Sequence, residues 1–386
     1  MASRAAIVVG GGIVGTSTAF GLSRRGWRVC LCDQAGLGAK STARAAGVVS
    51  ELTWSEDDRL WVAESRDRYR RPPGGGESLL GQTGSLAWAR GAEGGRLRAH
   101  AQRLAAVGVR VEEPTRAALV ARYPALRLEP DGQALLLPDD AVTDAAAYAR
   151  ALGREVTRAG GEVREECPVA LTPVEGDASA TGVRLPDGTI RRADAVVVAA
   201  GAWTAALLRA LGLWAPLRPY RTHLAAVAHP RAADLPRTVF HDVALDWYWV
   251  PEAPGRILAG DGTELVEADP DRFREAADAW FLEDLASRLA ERTLDGEQAE
   301  VGRAYAGILT ATADRRPLLG RVPGRADLWI AAGMNGFGVM RGPAVGEAMA
   351  RRIDEDLESA VPDDCRPERC PWSGPPVFPI RPGYTL

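Results

Sequence analysis

The hydrophobic and polar positions at the start of the chain predict a complete β-α-β unit. Ala5–Val9 is an apolar run too short for a helix, which predicts a buried strand. Apolar positions at helical spacing follow over residues 13–22, Gly26 can end that helix, and Arg28–Cys32 predicts a second buried strand. Two strands joined in this way begin a doubly wound α/β sheet.

This patterning returns later in the chain, after two long interruptions. Residues 195–199 predict another buried parallel strand, and the apolar residues before Gly333 predict one more. The interruptions, residues 51–144 and 216–305, alternate short strands with helices. We therefore predict an α/β protein with a Rossmann-type domain assembled from residues 1–50, 145–215 and 306–355. A mixed α+β substrate domain on an antiparallel sheet would come from the interruptions, and residues 356–386 would form a Pro-rich tail.

Several elements can be predicted within the interruptions. The expected helices are 57–71, 94–107, 114–123 and 271–292. Residues 79–89 predict a strand pair, and a strand at 135–138 is followed by a loop over 139–143. Asp144 is a suitable N-cap for a helix over 145–159, and a C-terminal helix is expected over 342–353.

The turn after the first strand carries the spacing G-x-G-x-x-G. Gly10 would permit a tight turn, Gly12 would let the backbone approach a pyrophosphate, and Gly15 would let helix and strand pack closely. Phosphate would lie at the helix N-terminus, where free N–H groups attract anions. Asp33 ends the second strand, where a carboxylate accepts a ribose hydroxyl, so the 2′-phosphate of NADP is disfavoured and FAD or NAD remains.

Composition and charge narrow the class of protein. The 386 residues are 46% hydrophobic, and 47 basic against 51 acidic residues give a net charge of −4. This balance offers no electrostatic attraction to nucleic acid or to an anionic membrane, so we expect neither partner. Because strand one starts almost at once, no signal peptide is expected, and a cytoplasmic location is predicted.

Cysteine and lysine usage adds two constraints. Five scattered cysteines favour reduced thiols, although Cys365 and Cys370 in a Pro-rich segment leave a metal clip or a disulfide open. Lys40 is the single lysine of the sequence, so any mechanism that needs an active-site lysine must use it.

A loop rich in small residues follows Asp33. Residues 36–50 would allow close approach of backbone to cofactor, with Ser41 and Thr42 as hydrogen-bond donors and Arg44 as a phosphate or flavin partner. An ordinary flexible loop is the alternative. Glu51 and Trp54 come next and would lie near the reactive centre.

Three later segments also suggest ligand contacts. A strand ends in Ala200, Gly201 and Trp203, which places backbone amides at the ligand-binding edge of the sheet. In the sequence WYWVP, Tyr248 would face away from its two tryptophan neighbours, towards a substrate or into packing. Residues 333–338 form a second glycine-rich turn into a helix, whose amides can stabilise negative charge on a ring system.

Taken in order, these motifs resemble the D-amino-acid-oxidase-like flavoproteins, in the region of glycine oxidase, the sarcosine oxidases and the dimethylglycine dehydrogenases. GGGIVGTSTAFGLSRRGWRVCLCD resembles the FAD fingerprint, and STARAAGVVS resembles the loop beside the flavin. VVVAAGAWT, YWVPEAPGRILAGDG, RAYAGILTATADRRPLLG and AAGMNGFGVMRGPAVGE follow in the family's order. The resemblance implies a Rossmann-type FAD-binding domain, and FAD rather than NAD.

The resemblance also implies roles for individual residues. The expected FAD-binding residues are Gly10, Gly12, Gly15, Asp33, Ser41, Thr42, Arg44, Ala45, Ala46, Gly47, Val169, Ala200, Gly201, Trp203, Gly333, Asn335, Gly336, Phe337, Gly338, Val339 and Met340. Tyr248 matches a tyrosine that meets substrate in glycine oxidase. His223, His241 and Glu51 complete the catalytic candidates.

Three departures from the family pattern bear on substrate and cofactor. Leu309 stands where amino-acid oxidases carry an arginine for the substrate carboxylate, which disfavours an ordinary amino acid unless Arg221 or Arg303 substitutes. The cysteine and histidine that attach flavin covalently are missing, and Arg44 replaces the histidine, so FAD should be non-covalent. Lys40 lies in a different segment from the lysine that activates oxygen in sarcosine oxidases.

The implied activity is the oxidation of a small-molecule amine or N-substituted amino acid by hydride transfer to flavin N5, with O₂ or another acceptor regenerating the flavin. The alternative is a flavin-containing subunit or assembly factor without amine oxidation of its own. A flavin-dependent halogenase or monooxygenase fits less well, because halogenases need a catalytic lysine.

Overall fold

The computed structural model describes residues 4–53, 56–261, 266–372 and 374 of the chain. In these ranges the strands are β1 (Ala5–Val9), β2 (Arg28–Cys32), β3 (Val48–Val49), β4 (Leu80–Gln82), β5 (Ser85–Ala89), β6 (Gln133–Leu137), β7 (Ala141–Thr143), β8 (Glu162–Arg164), β9 (Ala170–Val174), β10 (Asp177–Arg184), β11 (Ile190–Arg191), β12 (Ala195–Val198), β13 (Arg218–Ala228), β14 (Val239–Asp242), β15 (Trp247–Ala253), β16 (Arg256–Asp261), β17 (Val266–Glu267), β18 (Glu300–Ala311), β19 (Leu318–Arg321) and β20 (Leu328–Ala332). The α-helices are α1 (Ile13–Arg24), α2 (Ser41–Arg44), α3 (Glu56–Arg70), α4 (Gly91–Ala106), α5 (Arg116–Arg122), α6 (Ala145–Arg158), α7 (Thr204–Arg209), α8 (Ala279–Arg292) and α9 (Gly338–Glu355).

The first sheet has the strand order β19-β20-β12-β1-β2-β8 in the described part of the chain. Its strands are parallel except β19, which is antiparallel to β20. Helices α1, α3, α6 and α9 cover one face, and α7 with the β9–β11 meander covers the other. Because both faces are buried, the strands contain nearly continuous apolar residues.

The second sheet runs β17-β13-β16-β15-β14-β5-β6, with β18 also paired to β13. Its pairings are antiparallel except for β14 with β5. One face packs on α8, and the other packs on Ala46 and Val48, just beyond α2. The α/β fold class with a parallel nucleotide-type sheet and a second, largely antiparallel sheet is thus confirmed.

Some predicted elements differ from those in the structure. Strands β4 and β5 do not pair with each other, because β4 pairs with β7 and β5 lies between β14 and β6. The predicted loop over 139–143 contains β7. Helix α8 begins at Ala279 rather than near 271, because the preceding segment bonds to the sheet: Ala306 N donates to Glu275 O, 2.8 Å away.

Helix α9 starts four residues earlier than predicted, despite an internal proline. Pro343 has no N–H for the carbonyl of Val339, four residues before it. The buried Tyr69 hydroxyl donates to that carbonyl at 2.7 Å. The bond that proline removes is therefore replaced by a side chain from α3.

The proposed domain division remains a prediction, and its boundary between residues 305 and 306 falls inside β18. Part of the tail packs on the parallel sheet: Cys365 is fully buried, and Arg369 Nε lies 2.7 Å from Asp314 Oδ2. Residues 373 and 375–386 of the tail, and Trp54, lie outside the described residues. Among the helices that are described, none combines the length and apolar character needed to cross a bilayer.

Candidate functional site

A cavity of about 390 Å³ lies at the carboxyl edge of the parallel sheet. We call it the edge cavity. Turns that follow β1, β12 and β20 form its wall, together with the end of β2 and the start of β9. Ligands of doubly wound sheets bind at this edge.

The β1–α1 turn brings backbone to the edge cavity. Gly10 has φ +114°, and a Cβ there would lie 2.4 Å from Ala199 O. Gly12 lies on the cavity wall, and α1 begins at the next residue. Gly15 does not line the cavity; a Cβ at Gly15 would lie 1.8 Å from Gly10 O. Gly15 therefore sets the contact between α1 and the turn.

Asp33 lies on the wall of the edge cavity at the end of β2. Its Oδ2 accepts a hydrogen bond from Gly11 N at 2.6 Å, and its Oδ1 accepts one from Ala35 N at 2.8 Å. Two backbone donors thus fix the carboxylate beside the glycine turn.

Helix α2 joins the glycine turn to the antiparallel sheet. Thr42 Oγ1 accepts a hydrogen bond from Ile13 N at 3.2 Å, and Ser41 Oγ donates to Ile308 O at 2.5 Å. Ser41, Thr42, Ala45 and Lys40 all line the edge cavity. Lys40, whose φ is +53°, was not among the predicted ligand contacts.

The opposite wall contains Val169 and the turn after β12. Ala200, Gly201 and Trp203 line the edge cavity there. The indole Nε1 of Trp203 donates to Asp271 Oδ1 at 2.7 Å, so Asp271 is also at the wall. Asp271 was not predicted as a ligand contact, because it lies in the segment that was predicted to be helical.

The second glycine-rich turn is held by the side chain of Asn335. Asn335 is buried with φ +51°, and its Nδ2 donates to Gly333 O at 2.5 Å. Its Oδ1 accepts from Thr312 N at 2.9 Å, and its own N–H donates to Thr310 O at 3.0 Å. Asn335 therefore fastens this turn to the end of β18. Further wall residues of the edge cavity in this segment are Gly333, Asn335, Gly336, Gly338 and Val339.

A second cavity, of about 230 Å³, lies between α2 and the antiparallel sheet. We call it the intersheet cavity. It shares wall residues with the edge cavity, namely Ser41, Ala45, Leu309, Gly336 and Val339. The remaining predicted cofactor contacts, Arg44, Ala46, Gly47, Phe337 and Met340, line the intersheet cavity. Ligands bound in the two cavities would therefore contact each other at this shared wall.

Tyr248 and His241 lie side by side on the wall of the intersheet cavity. They are partners across β14 and β15, with ring centroids 6.0 Å apart. Tyr248 packs on β16, where a Cβ at Gly260 would lie 2.7 Å from its ring. The absence of a side chain at Gly260 thus leaves space for the Tyr248 ring.

The imidazole of His241 is neutral at pH 7. Burial lowers the pKa of His241 to about 4. Within the described residues, its buried Nε2 has no hydrogen-bond partner. An unsatisfied buried polar atom costs about 1–3 kcal/mol, so Nε2 is suited to a hydrogen bond with a ligand.

His223 and Glu51 line neither cavity, and their positions argue against the catalytic roles predicted for them. Alternate residues of a strand face opposite sides, so Thr222 and Leu224 face the intersheet cavity while His223 faces α8. His223 stacks on Phe281 at 5.0 Å, and its Nε2 lies 3.3 Å from Asp278 Oδ2. Glu51 is 2% exposed and pairs with Arg66 at 2.7 Å.

Arg221 and Arg303 were the two candidates to replace an arginine at position 309. Neither of them lines the edge cavity or the intersheet cavity. Arg221 donates two hydrogen bonds to Asp278, each of 3.0 Å. The side chain of Arg303 is 70% exposed. Leu309 itself lines both cavities.

Sequence reasoning missed Thr222, Leu224 and Gly307 on the intersheet wall. Both Thr222 and Leu224 lie on β13, where alternate residues face the same side of the sheet. Gly307 lies opposite Thr222 in the observed register, a long-range pairing that sequence pattern does not give.

Comparisons with known proteins agree with this geometry. Residues 5–352 match the DAO family of FAD-dependent oxidoreductases. Glycine oxidase from Pseudomonas putida is 31% identical over 358 residues, which cover 89% of this chain and 92% of that protein. The crystal structure of glycine oxidase from Geobacillus kaustophilus superposes with a TM-score of 0.78 at 27% identity, covering 94% and 97% of the two chains. Iminodiacetate oxidase from Chelativorans sp. BNC1 gives 0.76 at 26% identity, covering 97% and 100%.

Proposed function

The chain belongs to the DAO family of FAD-dependent oxidoreductases, and from this premise we propose that it oxidises a carbon–nitrogen bond of an amine or N-substituted amino acid to an imine. The observation that carries the proposal is the shared wall of the two cavities. The edge cavity has the form of a dinucleotide site, and the intersheet cavity beside it holds Tyr248 and an unsatisfied His241 Nε2.

The residues of the edge cavity fit FAD. Gly10 lies on the cavity wall, where a Cβ would collide with the backbone of Ala199. The N-terminus of α1 begins beside it, and Asp33 is held at the end of β2. These are the groups that would hold pyrophosphate and ribose. FAD, when bound, would accept a hydride from the substrate carbon and pass electrons to O₂ or another acceptor. Non-covalent binding is favoured, because Arg44 replaces the histidine that would attach the flavin and residues 300–320 contain no cysteine.

Residues of the intersheet cavity would orient the amine. Neutral His241 presents an unsatisfied Nε2 for a hydrogen bond with the substrate nitrogen, while Tyr248 packs beside it. The N-terminus of α9 lies on the shared wall, where its backbone N–H groups would stabilise negative charge on the cofactor ring. Loss of a proton from nitrogen and of a hydride from carbon leaves a C=N bond, which water then hydrolyses.

Anaerobic mixing of the FAD-loaded protein with a panel of amines and amino acids tests the proposal. We expect at least one compound to bleach the visible absorbance of the oxidised flavin, because hydride transfer reduces the cofactor. The same compound in air, with peroxide detection, distinguishes an oxidase from a dehydrogenase. If no compound bleaches the flavin, a subunit or assembly role without amine oxidation is favoured instead.

Tyr248→Phe tests the position of the substrate. We expect lower turnover with FAD retained, because the hydroxyl is lost from the intersheet wall while the ring and the edge cavity stay unchanged. Tyr123→Phe, outside both walls, is the matched control. Equal kinetics of Tyr248→Phe and wild type on an identified amine would remove Tyr248 from the site.

We further propose a reducing location, the cytoplasm. All five cysteines are free thiols, and Cys365 and Cys370 form neither a disulfide nor, among the described residues, part of a metal cluster. Free thiols persist where glutathione and thioredoxin keep them reduced. Fractionation of cells with an antibody to the protein would test the location.

A further inference from the structure

The segment between β17 and α8, residues 268–278, lies at the rim of the edge cavity. Asp271 lines this cavity and is nevertheless exposed to solvent. Glu275, four positions later, is also exposed. The role of the segment depends on how each half of it is attached to the rest of the chain.

The C-terminal half of the segment is anchored to the antiparallel sheet. Glu275 O accepts a hydrogen bond from Ala306 N of β18 at 2.8 Å. Asp278 accepts two hydrogen bonds, each of 3.0 Å, from the buried Arg221 of β13. Hydrogen bonds between charged groups are roughly twice as strong as those between neutral groups, so this half is firmly fixed.

The N-terminal half is attached to the parallel-sheet side of the cavity. Asp271 Oδ1 accepts a hydrogen bond from Trp203 Nε1 at 2.7 Å, and Trp203 lies in the turn after β12. Asp271 N donates to Asp269 Oδ1 at 2.9 Å, a bond inside the segment. Within the described ranges, the bond to Trp203 is the one hydrogen bond that joins Asp271 to another part of the chain.

The middle of the segment contacts α2, on the other side of the cavity. The guanidinium of Arg44 lies 5.9 Å from the ring centroid of Phe273, and Arg44 Nη2 lies 2.8 Å from Glu275 Oε1. The pKa of Glu275 is lowered, chiefly by the hydrogen bond from Arg44 and also by the charge of Lys40, which lines the edge cavity. Residues 271–275 therefore reach from the turn after β12 to α2.

The contacts at the two ends of the segment differ in burial. The side chains of Arg221 and Asp278 are 9% and 16% exposed, whereas Asp271 is an exposed residue. Exposed hydrogen bonds add little stability, because water competes for both partners. Local opening would therefore begin at Asp271 and leave the anchored half in place.

We propose that residues 269–273 form a clasp over the FAD site, which opens at the bond between Trp203 and Asp271 when the cofactor enters or leaves. This inference rests on the proposed function, because it takes the edge cavity as the site of FAD. It assigns to Asp271 a role in cofactor exchange that is separate from amine oxidation in the intersheet cavity. A clasp must open in both directions, so its loss accelerates association and dissociation together.

Exchange of bound FAD for isotopically labelled FAD tests the clasp. The FAD-loaded protein is mixed with an excess of the labelled cofactor, and mass spectrometry after rapid desalting gives the dissociation rate. We expect exchange in Asp271→Ala to be about twofold to tenfold faster than in wild type, the effect of one lost hydrogen bond. Equilibrium dialysis should give a Kd that changes by less than about twofold, because association is accelerated as well.

Asp271→Asn separates the hydrogen bond from the negative charge. The amide oxygen of asparagine can still accept from Trp203 Nε1, but the residue no longer repels an anionic cofactor. We expect the exchange rate of Asp271→Asn to stay close to that of wild type. Exchange as fast as in Asp271→Ala would show that the charge sets the rate, and this would overturn the clasp.

Two exposed residues provide the controls, because neither lines the edge cavity or the intersheet cavity. Arg272→Ala changes the neighbour of Asp271 on the clasp, and Glu283→Ala removes a carboxylate from α8. We expect wild-type exchange rates in both control variants.

The remaining outcomes separate the inference from the proposed function. A wild-type exchange rate in Asp271→Ala, or a Kd that rises in proportion to the dissociation rate, would overturn the clasp and leave FAD binding and amine oxidation intact. A wild-type protein that binds no FAD would overturn both.

Discussion

At the scale of single residues, Asp140 shows how burial changes the chemistry of a carboxylate. It is 1% exposed, accepts a hydrogen bond from Ser50 Oγ at 2.5 Å, and accepts another from Glu51 N at 3.0 Å. The described residues place no salt bridge on it. Burial, opposed in part by these hydrogen bonds, raises the pKa of Asp140 to about 7.

This raised pKa predicts a pH dependence of stability. Between about pH 4 and pH 7 the folded protein holds a proton on Asp140 that the unfolded chain has lost. The free energy of unfolding therefore falls as pH rises through this window. Asp140→Asn cannot titrate, so the stability of wild type minus that of the variant should fall by about 1–4 kcal/mol between pH 4 and pH 8.

Urea unfolding of both proteins across this pH range measures the difference. Asp139→Asn is the control, because Asp139 is only partly buried and pairs with Arg110. The same pH dependence in Asp140→Asn as in wild type would refute the raised pKa.

The residues that sequence reasoning placed well are those fixed by short-range spacing. Gly10, Gly12 and Asp33 lie on one wall because a β-α-β unit leaves few alternatives. His223 was predicted from its chemistry, and Glu51 from its chemistry and its place after the small-residue loop. The orientation of both side chains depends on the strand register and on buried partners. The register of β13 against β18 joins residues 72 to 93 positions apart, which no local pattern encodes.

At the scale of elements, the packing of α1 on β1 predicts the effect of Gly15→Leu. A Cβ at Gly15 would lie 1.8 Å from Gly10 O, so leucine must push α1 away from the glycine turn. We expect purified Gly15→Leu protein to lack the flavin absorbance. Gly95→Leu is the control, because nothing lies within 4 Å of a Cβ at this exposed position of α4. Full FAD occupancy in Gly15→Leu would contradict the assignment of the turn.

The elements that were predicted correctly carry their own local signals. Helix α6 begins where Asp144 was expected to cap it, with Asp144 Oδ1 accepting from Ala147 N at 2.8 Å. The predicted starts of α8 and α9 were wrong, because contacts with residues distant in the sequence determine where these helices begin. Bonds to β18 hold residues before Ala279 in an extended path, and the Tyr69 hydroxyl satisfies a carbonyl that Pro343 leaves free.

At the scale of the whole molecule, Arg341 joins three separate parts of the chain. It lies buried in α9, forms an ion pair with Asp58 of α3, and donates to Met334 O at 3.0 Å. Asp58 also pairs with Arg316 at 3.1 Å, and Arg316 pairs with Asp364 of the tail at 2.8 Å. The glycine turn, the helical layer and the tail thus meet in one charge network.

Removal of Arg341 should therefore destabilise the protein strongly. Arg341→Met leaves Asp58 with fewer partners in a buried site, and we expect a loss of about 3–5 kcal/mol in the free energy of unfolding. Guanidinium unfolding at saturating FAD measures it. Arg96→Met, which breaks an exposed pair with Glu93, should cost at most about 1 kcal/mol. Equal losses in the two variants would show that the buried network stabilises the protein no more than an exposed ion pair does.

The hydrogen bonds that hold β18 have a consequence for how substrate specificity can change in enzymes with this fold. Its backbone is held at Ile308 by Ser41 and at Thr310 by Asn335, both of which belong to the cofactor side. Gly307 and Leu309, the residues of this strand that line the intersheet cavity, take no part in these bonds. Substitutions at positions 307 and 309 would therefore reshape the intersheet cavity while the bonds that position β18 against the cofactor side stay in place.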